Sequence, residues 1–238
     1  MKVIILAGGL GTRLGDETKL VPKPMIKIGN DPIILHIIKI YKHFNFTDFI
    51  IAGGYRHSYI KNFFKKKIKN INVKVIYTGL KSMTGGRVYR LKEYIKEDQF
   101  FMTYGDGLAN INLKKLLKFH TNNKKIATIS VVRPPARWGY VTLKKNLISK
   151  FEEKNQINEG WINGGFFVLD KKIFDYFKKF KNKDKIIFEK DILPLISKNK
   201  KLIAYKHTGF WQCMDTLREK EFLNKMIKKK NVPWMNFR

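Results

Sequence analysis

The feature that most constrains the fold is an uninterrupted apolar run, residues 3–7, that leads directly into a glycine-rich turn. Apolar residues without polar alternation are typical of a strand that is buried on both faces. The run and the turn overlap in the segment from Leu6 to Leu14, which reads LAGGLGTRL. Glycines permit a tight bend that brings backbone N–H groups close to an anion or a flat base. The segment therefore predicts the first strand of an α/β sheet, with a ligand site at its carboxyl end.

Strand and helix patterns alternate through the first 110 residues. Apolar runs bounded by polar or glycine residues predict strands at 2–7, 49–52, 73–77 and 100–103. Helical spacing of apolar residues predicts helices at 33–43, 59–68 and 88–95. We expect Asp31 to cap the first of these helices, with Pro32 just inside it. This alternation predicts a Rossmann-like, doubly wound sheet, mixed but mainly parallel and flanked by helices.

The second half continues with strand patterns at 126–132, 139–143, 147–152 and 165–169. Helical patterns follow at 172–180, 188–197 and 216–229. No Ser/Gly-rich linker, low-complexity block or internal repeat separates the two halves. The sequence therefore predicts one domain over residues 1–238, in which the later strands extend the same sheet.

Charge restricts the partners of the chain. Its 49 basic residues outnumber 19 acidic ones and give a net charge of +30, but only eight of the basic residues are arginines. A basic face could bind nucleic acid. The lysines are, however, spread over many segments and are not interleaved with aromatic residues, which favours a compositional bias over nucleic-acid binding. In either case the field attracts anionic substrates such as nucleotides and sugar phosphates.

Other classes of protein are disfavoured by what the chain lacks. Cys213 is the single cysteine, so an internal disulfide and a cysteine-built zinc site are excluded. No apolar run approaches the roughly 20 residues that a membrane span needs. The first apolar run is too short for a signal peptide and has no cleavage site. We therefore expect a cytoplasmic protein.

The glycine turn alone leaves several interpretations open. A dinucleotide fingerprint would need a small residue where Leu14 stands, and a P-loop would need a Gly-Lys-Ser/Thr sequence that does not follow. A simple strand-to-helix turn remains possible. Shortly downstream, Pro22 and Pro24 fix the backbone on both sides of Lys23. A stiffly held lysine near an arginine-bearing glycine turn suits the clamping of phosphate oxygens during phosphoryl-type transfer.

Together these motifs resemble the sugar-1-phosphate nucleotidyltransferases, and within that family the glucose-1-phosphate cytidylyltransferases. Five further motifs match in the same order: SMTGGR at 82–87, TYGDG at 103–107, FEEK at 151–154, INGGFF at 162–167, and GFWQ with MDT at 209–216. The resemblance implies that the chain joins CTP to a sugar 1-phosphate, with glucose 1-phosphate as the expected acceptor, and releases pyrophosphate. It also implies Mg²⁺ as cofactor and a homo-oligomeric assembly.

The resemblance assigns roles to individual residues. Residues 1–110 would form the nucleotide-binding half and 111–238 the sugar-phosphate half. The implied catalytic residues are Arg13, Lys23, Asp106 and Asp215. The implied nucleotide-binding residues are Leu6, Ala7, Gly8, Gly9, Gly11, Thr12, Arg13, Lys23, Gly85, Arg87 and Gly105, of which the backbone around Leu6 to Gly9, with Gly85 and Arg87, would hold the base. The implied sugar-phosphate residues are Glu153, Lys154, Asn163 and Gly164.

The two aspartates would hold Mg²⁺, which prefers hard oxygen ligands and commonly takes one or two carboxylates together with substrate phosphates. Each has a simpler explanation as well. Asp106 could merely form a Gly-Asp-Gly turn, and Asp215 could cap the helix that follows it. Similarly, Asn163 and its two following glycines could be a bulge at the start of a strand.

The chain departs from these relatives in three places. It lacks a long insertion between the third strand and Ser82 that helps to join subunits in the relatives. It has Val21 in place of a lysine and Asn155 in place of a proline. The acceptor and the mode of assembly are therefore left open, and so are dTTP or UTP as the nucleotide. A non-catalytic nucleotide- or RNA-binding module is a more distant alternative.

Overall fold

The computed structural model of the chain describes residues 1–66, 68–134, 140–152 and 160–237. The strands are β1 Lys2–Ala7, β2 Lys27–Ile28, β3 Asp31–Pro32, β4 Asp48–Gly53, β5 Asn72–Tyr77, β6 Gln99–Tyr104, β7 Gly107–Ala109, β8 Ala127–Val132, β9 Tyr140–Lys144, β10 Leu147–Glu152, β11 Ile162–Asp170, β12 Leu202–Lys206 and β13 Trp211–Cys213. The α-helices are α1 Glu17–Leu20, α2 Ile33–His43, α3 His57–Phe63, α4 Thr84–Arg90, α5 Leu113–Asn123, α6 Leu193–Lys198 and α7 Leu217–Lys228.

Short 3₁₀ and π segments complete the described structure. The 3₁₀ segments are Thr12–Leu14, Lys23–Met25, Lys92–Tyr94, Lys171–Lys179, Lys183–Lys185 and Pro233–Met235, and the π segment is Phe188–Ile192.

A seven-stranded sheet forms the centre of the fold, in the order β12-β8-β11-β6-β1-β4-β5. Within this sheet, β6, β1, β4 and β5 run parallel to one another, and β8 runs parallel to β12. Only β11 is antiparallel, to both β6 and β8. The prediction of a mixed, mainly parallel sheet flanked by helices is therefore confirmed. The β6–β11 pair also joins a strand of the first half to one of the second half within a single sheet.

Both faces of the sheet are covered by apolar side chains, which explains the unbroken apolar run of β1. Val3 and Ile5 belong to a core cluster that includes most of α2, whereas Ile4 and Leu6 belong to the cluster on the opposite face. Burial of one such side chain contributes about 1.5–3 kcal/mol to stability. The strand is thus fixed from two sides, and the turn at its carboxyl end has a rigid base.

Two helix starts and one helix cap differ from the sequence prediction, whereas α2 spans the predicted residues 33–43. Asp31 does not cap α2: the N-cap is Pro32, and the Asp31 carboxylate instead pairs with Lys39 at 2.5 Å. The helix predicted at 59–68 is α3, which begins two residues earlier and ends at Phe63. The helix predicted at 88–95 begins at Thr84 as α4, because backbone contacts with residues 184–186 hold its glycines in place.

The later strands only partly extend the sheet. Strands β8, β11 and β12 join it, but β9 and β10 form a separate antiparallel hairpin, so the prediction that all of them extend one sheet is wrong. The helix predicted at 188–197 divides into the π segment and α6, and the one predicted at 172–180 is a 3₁₀ helix. Among the described residues, no helix is both long enough and apolar enough to cross a bilayer.

Candidate active site

The carboxyl ends of β1 and β6 lie side by side, because these parallel strands pair in register with Leu6 opposite Tyr104. The chain leaves β1 into the glycine turn and leaves β6 into the Gly105–Gly107 turn that carries Asp106. Two motifs about a hundred residues apart therefore meet at one edge of the sheet, as parallel sheets require.

Lys23 lies at the centre of this edge. It begins the 3₁₀ turn Lys23–Met25, which follows the extended Pro22 and contains the buried Pro24. Its ammonium forms ion pairs with Asp106 and, at 2.5 Å, with Asp215. The structure thus brings together the lysine and the two aspartates that the sequence singles out.

The charge of Lys23 depends on these two carboxylates. Its side chain is 12% exposed, and burial alone would lower the pKa of an ammonium group because the charged form loses its hydration. The negative charges of Asp106 and Asp215 outweigh burial, and the pKa of Lys23 is raised. The ammonium is therefore protonated at neutral pH and can neutralise phosphate oxygens as well as carboxylates.

Two glycines permit this close assembly. A Cβ atom on Gly11, which has a φ of 69°, would lie 2.9 Å from Cβ of Lys23. A Cβ atom on Gly105 would lie 2.8 Å from the carbonyl oxygen of Leu6 and 3.1 Å from the Pro24 ring. A larger residue at either position would separate the glycine turn, the lysine segment and the Asp106 turn. The glycines are thus needed for packing at this edge as well as for turn geometry.

Asp215 reaches the same point from the carboxyl-terminal part of the chain. Strand β13 pairs with β7, and the Met214 N–H donates to the carbonyl oxygen of Asp106 at 2.9 Å. Asp215 does not cap α7: the N-cap is Thr216, which forms a capping box with Glu219. The Glu219 carboxylate also accepts the Asp215 N–H at 2.7 Å. The Asp215 side chain is therefore directed toward Lys23 and is not used to cap the helix.

Arg13 adds a second cation to the cluster. Its Nη1 lies 2.9 Å from the Asp215 carboxylate, while its side chain is 71% exposed. Thr12 and Gly9 in the same turn are exposed, whereas Leu6 and Ala7 are buried at the end of β1. The exposed part of the turn can therefore meet a ligand, and the buried part anchors it.

Arg87 occupies a different environment below the glycine turn. It is 4% exposed, and its guanidinium donates to the carbonyl oxygens of Gly8 and Gly79, each at 2.8 Å, and to the Thr78 hydroxyl at 3.0 Å. Burial lowers the pKa of Arg87, although an arginine stays protonated in proteins. The Gly85 N–H donates to the carbonyl oxygen of Ile186. Both residues therefore hold backbone in place, and their predicted contact with a base stays a prediction.

Of the predicted sugar-phosphate residues, Asn163 and Gly164 lie in β11 at a register shift between Asn163 and Phe167. The Gly164 carbonyl oxygen accepts a hydrogen bond from the Trp211 indole at 2.8 Å. Asn163 donates to the Tyr104 hydroxyl at 3.0 Å, beside the Asp106 turn. Glu153 and Lys154 lie outside the described residues.

Sequence reasoning did not identify Glu189, which lies on the π segment Phe188–Ile192. Its carboxylate accepts hydrogen bonds from the hydroxyls of Tyr104 and Thr84, at 2.5 and 2.6 Å. Burial and the nearby Glu189 charge raise the pKa of Tyr104, so its hydroxyl is protonated. Nothing in the local sequence around Glu189 distinguishes it from the other acidic residues, so only the tertiary structure reveals it.

The residues present suit a hard divalent cation. Asp106 and Asp215 both pair with the Lys23 ammonium, and Asp215 also pairs with Arg13, so the two carboxylates could exchange these cations for one divalent ion. Cys213, Asp215 and Glu219 also form a compact group of possible ligands. Burial raises the pKa of the Cys213 thiol to about 12, which keeps it protonated and a poor ligand. The site therefore favours oxygen ligands, as Mg²⁺ does.

The sequence of the chain is similar to those of known proteins. A family model described as nucleotidyl transferase matches residues 2–223. A glucose-1-phosphate cytidylyltransferase from Salmonella typhimurium strain LT2 is 39% identical over 257 residues, covering 98% of this chain and 98% of that protein. Because this alignment is longer than the 238 residues of the chain, the relative contains residues that the chain lacks. That agrees with the missing insertion inferred from the sequence.

Solved structures share the fold. HddC from Yersinia pseudotuberculosis superposes with a TM-score of 0.74 at 26% identity, over 95% of this chain and 99% of that one. A UTP-bound UGPase from Acinetobacter baumannii superposes with a TM-score of 0.76 at 16% identity, over 98% and 95% of the two chains. At such an identity the second likeness concerns the fold alone.

Proposed function

Because the chain belongs to the nucleotidyl transferase family and is a sugar-1-phosphate nucleotidyltransferase, we propose that it joins CTP to α-D-glucose 1-phosphate and releases pyrophosphate. The observation that carries the chemistry is the Lys23 ammonium bridging Asp106 and Asp215 at the glycine turn. The choice of CTP and glucose 1-phosphate is supported by the name of the 39% identical Salmonella relative.

The reaction needs alignment and charge neutralisation more than proton transfer. A phosphate oxygen of the acceptor attacks the α-phosphorus of the nucleotide, a new P–O bond forms, and pyrophosphate leaves with the electrons of the broken P–O bond. The second pKa of a phosphate monoester is near 6, so the acceptor is already ionised and requires no general base. This accounts for a site whose described residues are cations, carboxylates and glycines and include no nucleophile–base pair.

The residues of this site would have separate roles in binding the nucleotide and the metal ion. Lys23, stiffened by its flanking prolines, would move from the carboxylates onto phosphate oxygens of the nucleotide, and Arg13 in the exposed turn would grip the same phosphates. Asp106 and Asp215 would hold Mg²⁺. When bound, that ion neutralises phosphate charge and fixes the geometry of the triphosphate.

Pyrophosphate release tests this function directly. The purified chain is incubated with Mg²⁺ and each pairing of CTP, UTP, dTTP, ATP or GTP with glucose 1-phosphate, mannose 1-phosphate or galactose 1-phosphate. We expect the highest kcat/KM with CTP and glucose 1-phosphate. A different preferred pair would keep the transferase and correct the substrates. Tight, salt-sensitive RNA binding with no pyrophosphate from any pair would overturn the proposal.

A further inference from the structure

A chain of directed hydrogen bonds connects Glu189 to the predicted sugar residue Asn163. The Gly165 N–H donates to Oδ1 of Asn163 at 2.8 Å, which fixes the orientation of the side-chain amide because only the oxygen can accept. Nδ2 of Asn163 must then donate to the Tyr104 hydroxyl, at 3.0 Å. The Tyr104 hydroxyl in turn donates to Oε1 of Glu189, at 2.5 Å. Each hydrogen bond in this series therefore has one defined donor and one defined acceptor.

A second branch ends on the same carboxylate. The Thr84 hydroxyl donates to Oε2 of Glu189 at 2.6 Å and accepts the Phe188 N–H at 2.9 Å. Thr84 is the first residue of α4, the helix that also carries Gly85 and Arg87. The two oxygens of Glu189 therefore accept one bond from the β6–β11 side and one from α4. A carboxylate has lone pairs on both oxygens and can accept one hydroxyl proton at each of them.

We propose that Glu189 is a positioning residue for the sugar-phosphate acceptor, acting through Tyr104 on the amide of Asn163. This inference rests on the proposed function and goes beyond it by adding a residue that need not touch either substrate. A hydrogen bond to an ionised acceptor is stronger and shorter than a neutral one, so Glu189 holds the Tyr104 hydroxyl in one place. Asn163 then offers its remaining N–H proton in a fixed direction to an acceptor hydroxyl.

The test compares isosteric variants. Glu189→Gln keeps the shape but offers one oxygen where two hydroxyls need to donate, and Tyr104→Phe removes the connection to Asn163 alone. Loss of one charge-assisted hydrogen bond is worth about tenfold, so we expect the KM for the sugar 1-phosphate to rise about tenfold in each variant. The KM for the nucleotide is expected to stay within about twofold of the wild type in both variants. In the double variant, the effects should not add, because both substitutions break one chain of bonds.

Controls separate this role from a structural one. Lys190→Gln changes the exposed neighbour of Glu189 and should leave both KM values unchanged. Glu189→Asp keeps the charge and should recover part of the acceptor affinity. Equal losses for both substrates, or loss of folding without a selective change in KM, would contradict the positioning role. A wild-type protein that releases no pyrophosphate from any substrate pair would instead refute the proposed function, so the two failures can be told apart.

Discussion

Lys23, which is mostly buried, and Arg87, which is almost fully buried, are two cations near the same edge of the sheet, and they are held in opposite ways. Lys23 is paired with two carboxylates, which raise its pKa despite burial. The guanidinium of Arg87 is surrounded by backbone carbonyl oxygens and a threonine hydroxyl, and burial lowers its pKa. The charge of Lys23 is balanced by two carboxylates, whereas that of Arg87 is stabilised by the dipoles of backbone carbonyl groups.

The difference indicates what each cation does. Carboxylates that pair with an ammonium can exchange it for a metal ion, while the ammonium moves onto a phosphate, so the Lys23 cluster suits a reaction in which charges change partners. Backbone carbonyls cannot leave, so Arg87 ties the loop at Gly8 to the residues after β5. We therefore assign turnover to the Lys23 cluster and rigidity of the glycine turn to Arg87.

The largest expected effect is on turnover, and it tests the role assigned to Lys23. Lys23→Ala removes the cation that would bind the phosphates, and loss of such a group from a preorganised site lowers kcat by about 10²–10³-fold. Steady-state pyrophosphate release measures it, with circular dichroism to verify folding. Lys27→Ala, four residues along on an exposed position, is the matched control and should behave like the wild type. Near-normal turnover in the Lys23 variant would contradict the assignment of turnover to the Lys23 cluster.

Asp106→Asn tests whether the Asp106 carboxylate is a ligand of the proposed Mg²⁺ site. Replacing one oxygen ligand of the proposed Mg²⁺ site should raise the Mg²⁺ concentration for half-maximal activity by about tenfold or more. Asp98→Asn provides the control, since Asp98 is exposed and precedes the opposite end of β6. An unchanged metal titration in the Asp106 variant would remove that residue from the metal site.

The structural role assigned to Arg87 predicts an effect on stability. Arg87→Ala removes a buried guanidinium that links the carbonyl oxygens of Gly8 and Gly79 and the Thr78 hydroxyl, and it leaves a cavity in its place, which should lower the free energy of unfolding by about 2–3 kcal/mol. Urea denaturation measures this change. Arg90→Ala on the same helix removes an exposed pair with Asp184 and should cost less than about 1 kcal/mol. Equal stability of the two variants would show that Arg87 does not hold the turn.

The smallest effect is expected at Cys213, beside the cluster but outside its chemistry. With its thiol pKa raised to about 12 by burial, very little thiolate is present at pH 8. Iodoacetamide should therefore modify Cys213 much more slowly than free cysteine, as mass spectrometry can follow. Cys213→Ala should retain turnover within about twofold, because a small apolar residue can replace a protonated thiol. Rapid alkylation, or a large loss of turnover, would place the thiol in the reaction.

The sequence predicts the parallel core well because burial on both faces leaves a strong local signal. Strands β1, β4, β5 and β6 lie within two residues of their predicted bounds. The start of α4 could not be predicted, since Gly85 is a poor helix former and is held by the carbonyl oxygen of Ile186. The β9–β10 hairpin was misassigned because strand patterns do not specify which strand is the partner.

In the candidate site, too, some residues could be predicted from the sequence and others could not. Lys23 and Asp106 could be found because each lies in a short motif with prolines or glycines, and Asp215 because the GFWQ and MDT motif at 209–216 resembles that of the family. Glu189 could not, since its partner Thr84 is 105 residues away and its own segment has no distinctive pattern. That Thr216, and not Asp215, caps α7 agrees with the spacing Thr216-x-x-Glu219, which is a capping-box signal in the sequence.

The most direct test of the account is a crystal structure of the chain with Mg²⁺ and CTP. We expect oxygens of Asp106 and Asp215 to lie about 2.1 Å from one Mg²⁺ ion, with the Lys23 ammonium transferred from these carboxylates to oxygens of the triphosphate. A triphosphate bound elsewhere, with Lys23 still bridging both aspartates, would contradict the account.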